Sequence, residues 1–164
     1  MNSENFHMLP PGIFAALPTP CDDDGAISLE RLDPLVDFMV EAGVNGICIG
    51  GATGEYLAYS IDERAGMLRH AANRIGGRLP VIFGAGGESY RQVNWLIQAA
   101  GDAGASSVLL PAPAYFRYDP DDLVEFITRT ALSSALPALL YLIPQFNGDI
   151  GIDNALHLVK TVPN

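Results

Sequence analysis

Lysine occurs once in this chain, as Lys160, and basic side chains of any kind are scarce. Nine basic residues stand against nineteen acidic ones, a formal charge of −10. That balance argues against nucleic acid or an anionic membrane surface as a partner. An anionic ligand would have to be caught locally, by backbone amides, hydroxyls and a few arginines. Cysteine is nearly absent, and Cys21 and Cys48 lie too far apart for a disulfide framework or a zinc site. Cys48 sits in an apolar run and reads as a small core residue. The three histidines, His7, His70 and His157, form no His-x-His pair, so no metal site is expected. His7 falls in the N-terminal tail, and the other two fall in helical segments as surface or helix-packing residues. No apolar run is long enough to span a bilayer, and Met1–Pro11 lacks the basic and apolar regions of a signal peptide. A cytoplasmic enzyme or binding domain fits.

What the chain does have is apolar content, 49% over 164 residues, ample for the core of one domain. Strand-like runs recur at Ile13–Leu17, Gly46–Ile49, Val81–Gly84, Ser107–Leu110 and Ala138–Ile143. Helical spacing of apolar residues follows over Leu29–Ala42, Ile61–Ile75, Arg91–Ala103, Asp121–Ala135 and Asp153–Val162. Ser60 and Glu63 spell a capping box for the second helix. Asp153 is the expected cap of the last helix and Pro163 its terminator. Continuous apolar strands alternating with amphipathic helices call for a parallel sheet covered by helices. The repeat of roughly 30 residues suits units of a (β/α)8 barrel. A doubly wound sheet would want a Gly-x-Gly-x-x-Gly loop after its first strand, and none is present. Gly84-Ala85-Gly86-Gly87 follows the third strand and reads as a strand-end turn. The expected organisation is a tail over 1–11 and one barrel-type domain over 12–164.

The densest segment is Ile47-Cys48-Ile49-Gly50-Gly51-Ala52-Thr53-Gly54-Glu55-Tyr56. An apolar strand runs into glycines, a hydroxyl and a carboxylate, and then into the capped helix. Glycines permit positive φ and let a ligand approach main-chain amides. Parallel α/β proteins place small anionic substrates at such strand-to-helix loops. From the residues alone, Thr53 either caps a turn or holds an anion. Tyr141 is a core aromatic or a phenol at a strand's C-terminal end, and Tyr115 is a loop tyrosine with either fate. Glu55 reads as a structural carboxylate accepting loop or helix amides.

The order of motifs resembles the dihydrodipicolinate synthase/N-acetylneuraminate lyase family. The residues that carry the resemblance are Ala16-Leu17-Pro18-Thr19-Pro20 before Asp24-Gly25, Gly50-Gly51-Ala52-Thr53-Gly54-Glu55, and Ser60-Ile61-Asp62-Glu63-Arg64. Pro80-Val81-Ile82-Phe83-Gly84-Ala85-Gly86, Pro113-Ala114-Tyr115-Phe116 and Tyr141-Leu142-Ile143-Pro144 complete it, so that it covers Gly12 to Asn164. The resemblance implies a (β/α)8 lyase or aldolase that binds pyruvate or another 2-keto acid to a lysine as a Schiff base, with no cofactor. It implies that Thr53 binds the keto-acid carboxylate through hydroxyl and amide, and that Ala52 adds its amide. Tyr141 would serve the imine step and proton transfer, and Tyr115 would reach across a subunit interface within a dimer-based tetramer. Three departures bear on substrate. Ala52 stands where the family usually has Ser or Thr, Leu142 replaces a common Asn, and Phe146 falls where the synthases carry a carboxylate-binding arginine. A phenyl ring donates no hydrogen bond, so a more apolar aldehyde or a sugar-acid derivative is expected in place of aspartate semialdehyde.

The family's Schiff-base lysine lies on a sixth strand, and this chain carries none in that role. Lys160 is expected on the outer surface of the last helix. The chain therefore reads as a TIM barrel truncated after about five βα units, a fragment without turnover of its own. The alternatives are a keto-deoxy sugar-acid dehydratase of the same family and a non-catalytic, carboxylate-binding half-barrel.

Overall fold

The computed structural model describes residues 9–164. His7 and most of the expected 1–11 tail lie outside the described residues. Strands β1 (Phe14–Ala16), β2 (Gly46–Ile49), β3 (Val81–Gly84), β4 (Ser107–Pro111) and β5 (Ala138–Tyr141) form one sheet in chain order. Every pairing is parallel. Helices α1 (Leu29–Glu41), α2 (Ile61–Ile75), α3 (Tyr90–Asp102), α4 (Pro120–Leu132) and α5 (Ile152–Thr161) each follow the strand of the same number. A doubly wound sheet reverses its strand order at a switch point; here the order never reverses. The architecture is that of a partial (β/α) barrel with five units.

Side chains alternate across each strand, and this decides where the core lies. Ile47 and Ile49 of β2, Val81 and Phe83 of β3, and Val108 and Leu110 of β4 are buried together with helix residues such as Leu32, Val36, Leu68 and Leu96. Burying each of these side chains stabilises by roughly 1.5–3 kcal/mol. The alternate residues Ala16, Cys48 and Ile82 share one row of the opposite face, and Gly84, Leu109 and Leu139 share another. A smaller cluster of Ala112, Leu123, Ile127, Ile150 and Leu158 fixes α4 and α5 to the end of β4.

Local signals account for the element bounds. Ser60 accepts the Glu63 amide while the Glu63 carboxylate accepts the Ser60 amide, so α2 begins with a complete capping box. Three expectations need correction. The last strand stops at Tyr141, not Ile143, because the Ile143 carbonyl accepts the amides of Phe146 and Asn147 in a turn. The fourth helix stops at Leu132, not Ala135, where Ser133 and Ser134 turn their hydroxyls onto the Thr130 and Leu136 carbonyls. The last helix is capped by Gly151 at φ +74°, and Asp153 lies inside its first turn, where a carboxylate suits the helix dipole.

Candidate active site

The loops that leave the C-terminal ends of β2, β3, β4 and β5 enclose a cleft of about 820 Å³. From the loop after β2 come Ala52, Glu55, Tyr56, Leu57 and Ala58. Glu88 enters after β3, and Pro111, Ala114 and Tyr115 come from β4 and its loop. Tyr141, the last residue of β5, stands opposite with Ile143, Phe146 and Asn147.

The β2 loop is held by close backbone approach. Gly50 turns at φ +69°, and a Cβ on Gly84 would lie 2.0 Å from the Gly50 carbonyl oxygen. The chain then makes a 3₁₀ turn over Ala52–Gly54, tied to β1's loop where the Thr19 hydroxyl donates to the Gly54 carbonyl at 2.7 Å. The turn's first internal bond is donated by the Gly54 amide, to Gly51. The turn therefore makes no use of the Ala52 and Thr53 amides ahead of it. Glu55 closes the turn in the left-handed region at φ 51°, an uncommon place for a residue with a Cβ.

Ala52 and Tyr141 thus line one cleft, and Thr53 follows Ala52 directly with its side chain exposed and outside the lining. Tyr115 lies at the rim, 77% exposed, its ring edge-on to Phe116 at 4.6 Å. Glu55 corrects an expectation: among the described residues nothing donates to its carboxylate. The carboxylate that accepts loop amides is Glu88, which takes the Tyr115 amide at 3.1 Å and the Ala114 amide at 3.4 Å. Lys160 is exposed in the last turn of α5. That turn leads toward the start of the sheet, as the grouping of Val162 and Pro163 with Ala138 shows, so Lys160 sits at the end opposite the cleft.

Besides Glu88, Arg64 and Asn147 also shape the cleft, and none of the three was given a role from the sequence. Arg64 is 3% exposed beneath Tyr56, its guanidinium 4.9 Å from the ring centre. Its two terminal nitrogens donate to the carbonyls of Gly84 and Gly86, each at 2.8 Å, while its Nε is buried without a partner. Burial pulls its pKa down to about 10, with no carboxylate to offset the loss of water. Burial likewise pushes the Tyr56 phenol up. Asn147 is buried and donates from Nδ2 to the Ala112 carbonyl, fastening the β5 loop to the end of β4. Arg64 carried a legible signal, since a charged residue falls on the apolar face of α2 between Ile61 and Leu68. Glu88 and Asn147 carried none.

Among the described residues no group of three or more His, Cys, Asp or Glu side chains could hold a metal ion. No helix among them is long and apolar enough to cross a membrane. A family model for the dihydrodipicolinate synthetase family matches residues 9–164. The chain belongs to that family. Within the family, the 4-hydroxy-tetrahydrodipicolinate synthase of Azoarcus sp. (strain BH72) is 36% identical over 154 residues, 93% of this chain and 52% of that protein. The solved dihydrodipicolinate synthase of Acinetobacter baumannii, chloride-inhibited and complexed with pyruvate, superposes with a TM-score of 0.87 at 32% identity, covering 93% of this chain and 53% of that one. An N-acetylneuraminate lyase from Mycoplasma synoviae superposes at 0.81 with 25% identity, covering 91% and 50%. The chain spans about half the length of the curated relatives it matches.

Proposed function

We propose that this chain carries the 2-keto-acid half of a Schiff-base lyase site, with pyruvate or a close analogue as the ligand. The observation that supports this most directly is that Ala52, from the loop after β2, and Tyr141, at the end of β5, line one cleft. The amides of Ala52 and Thr53 bind the carboxylate, and the Tyr141 phenol passes protons at the keto carbon. Backbone donors suit a chain with so few cations, because fixed amides stabilise an anion without a buried counter-ion. In the family's chemistry a lysine amine condenses with the keto group, water leaves, and the adjacent carbon becomes nucleophilic as an enamine. Lys160 is at the wrong end of the sheet to supply that amine. The chain as it stands binds the keto acid without forming the imine. Tyr115, extended at the rim, would complete a neighbour's site in an assembly of cytoplasmic subunits.

Pyruvate titrated into the isotope-labelled chain should move the amide resonances of Ala52 and Thr53, and a Thr53→Pro variant should abolish the response. Pyruvate that leaves those amides unmoved overturns the reading. Borohydride reduction in the presence of pyruvate should leave the protein mass unchanged, and an adduct on Lys160 would show that the reacting end has been misassigned.

A further inference from the structure

Resting on the keto-acid reading above, we infer that the second substrate is a neutral carbonyl compound with an aromatic or aliphatic body, and that Phe146 selects it. Among the described residues that line the cleft none is Arg, Lys or His, and two, Glu55 and Glu88, are acidic. Glu88 already accepts the Ala114 and Tyr115 amides, and the Glu55 carboxylate is exposed beside the opening. Arg64 lies near, but Tyr56 covers it and its terminal nitrogens are taken up by the Gly84 and Gly86 carbonyls. A second carboxylate in the cleft would face two glutamates and the bound keto acid with no cation among these residues to meet it. Like charges brought together out of water disfavour such a ligand.

The walls favour the opposite chemistry. Phe146 is 72% exposed and Leu57 61%, and both line the cleft with Ile143 and the Tyr115 ring. Large apolar side chains held in water at a cleft gain by covering an apolar ligand, and Phe146 and Tyr115 offer it ring contacts. The backbone places Phe146 independently of its side chain, since its amide donates to the Ile143 carbonyl. Replacing that ring alters the wall and leaves the turn intact.

The test is a ranking of two aldehydes on the 164-residue chain with pyruvate present, read from the amide resonances of residues 55–58 and 143–147. Benzaldehyde should bind roughly tenfold more tightly than 4-oxobutanoate, the worth of one charge-assisted hydrogen bond missing for the latter. Phe146→Arg should shift the ratio roughly tenfold toward 4-oxobutanoate. Leu57→Arg, on the facing wall, should shift it in the same direction and guards against a local failure of the first variant. A wild-type preference for 4-oxobutanoate, or a ratio unmoved by either variant, overturns the inference. Silence of the Ala52 and Thr53 amides toward pyruvate sinks the keto-acid reading, whereas the aldehyde ranking is read at other residues and fails separately.

Discussion

Gly84→Ala is the sharpest perturbation the structure offers, because one methyl group would test both the scaffold and the site. Gly84 ends β3, is buried, and pairs with Leu109 of β4. Its added Cβ would meet the Gly50 carbonyl oxygen at 2.0 Å, the Gly50 carbonyl carbon at 2.5 Å and the Gly51 nitrogen at 2.8 Å. Carbon–oxygen contacts settle near about 3.3 Å, so the β2 loop would have to retreat by about 1 Å. That loop cannot swing freely, since Thr19 holds its far end and the Gly84 carbonyl is itself held by Arg64. Overpacking in a tight core costs about 1–3 kcal/mol, and a clash between two anchored backbones belongs at the upper end. Stiffening of the unfolded chain returns about 0.4–1 kcal/mol. The net loss should be about 2 kcal/mol, measured by urea unfolding followed by far-UV circular dichroism. Pyruvate-induced shifts at Ala52 should vanish in the same variant. A loss below about 0.5 kcal/mol would refute the packing argument, because surface changes alone reach that size.

Gly101→Ala gives the opposite sign: this exposed position within α3 has nothing within 4 Å of an added Cβ, so the variant should gain about 0.5–1 kcal/mol in the same urea assay. The Ser60 hydroxyl, and then the Ser60 amide, hold the Glu63 carboxylate below its ordinary value of 4.5. With the folded pKa depressed, that stabilisation is present above the unfolded value and is lost as pH falls through the folded one. Glu63→Gln should therefore flatten the pH dependence of stability below about 4.5, as urea midpoints across that range would show. Partial burial raises the Cys48 thiol to about 11 while Cys21 is exposed, so a thiol reagent at pH 8 should modify Cys21 quickly and Cys48 much more slowly, with unfolding by urea bringing the two rates together.

Elements with a start signal and a clean period were legible. Ile61–Ile75 emerges at both ends because Ser60 and Glu63 cap it and Gly76, at φ 59°, stops it. Gly46–Ile49, followed at once by Gly50, and Val81–Gly84 are apolar runs closed by glycine, and the structure gives them the same bounds. The misread ends are those where apolar residues continue past the last ladder bond. Leu142 and Ile143 look like strand, yet the Ile143 carbonyl is spent on a turn. Asp153 looks like a cap, yet the backbone at Gly151 is what turns the chain into α5. At the candidate site the sequence brought out residues on strand-end motifs, Ala52, Thr53, Tyr115 and Tyr141. It could not bring out Glu88 or Asn147, because their partners, the amides of Ala114 and Tyr115 and the carbonyl of Ala112, lie 26–35 positions away.

Arg64 sets the floor of this cleft apart from its walls in what a mutation there should cost. A buried guanidinium without a carboxylate partner is costly unless its hydrogen bonds are worth more than water's. Here it meets carbonyls at and just beyond the end of β3, where no further strand residue would satisfy them, and one side chain serves both Gly84 and Gly86. The same guanidinium supports the Tyr56 ring, and a Cβ on Gly86 would strike that ring at 2.7 Å. The floor is therefore one interlocked unit of Arg64, Tyr56, Gly84, Gly86 and Gly50, in which any change to shape is also a change to stability. Phe146 and Leu57 carry no such obligation: they are exposed and project from turns whose hydrogen bonds are made by the backbone. Changes to the walls can thus accumulate at little cost in stability, while the floor stays fixed.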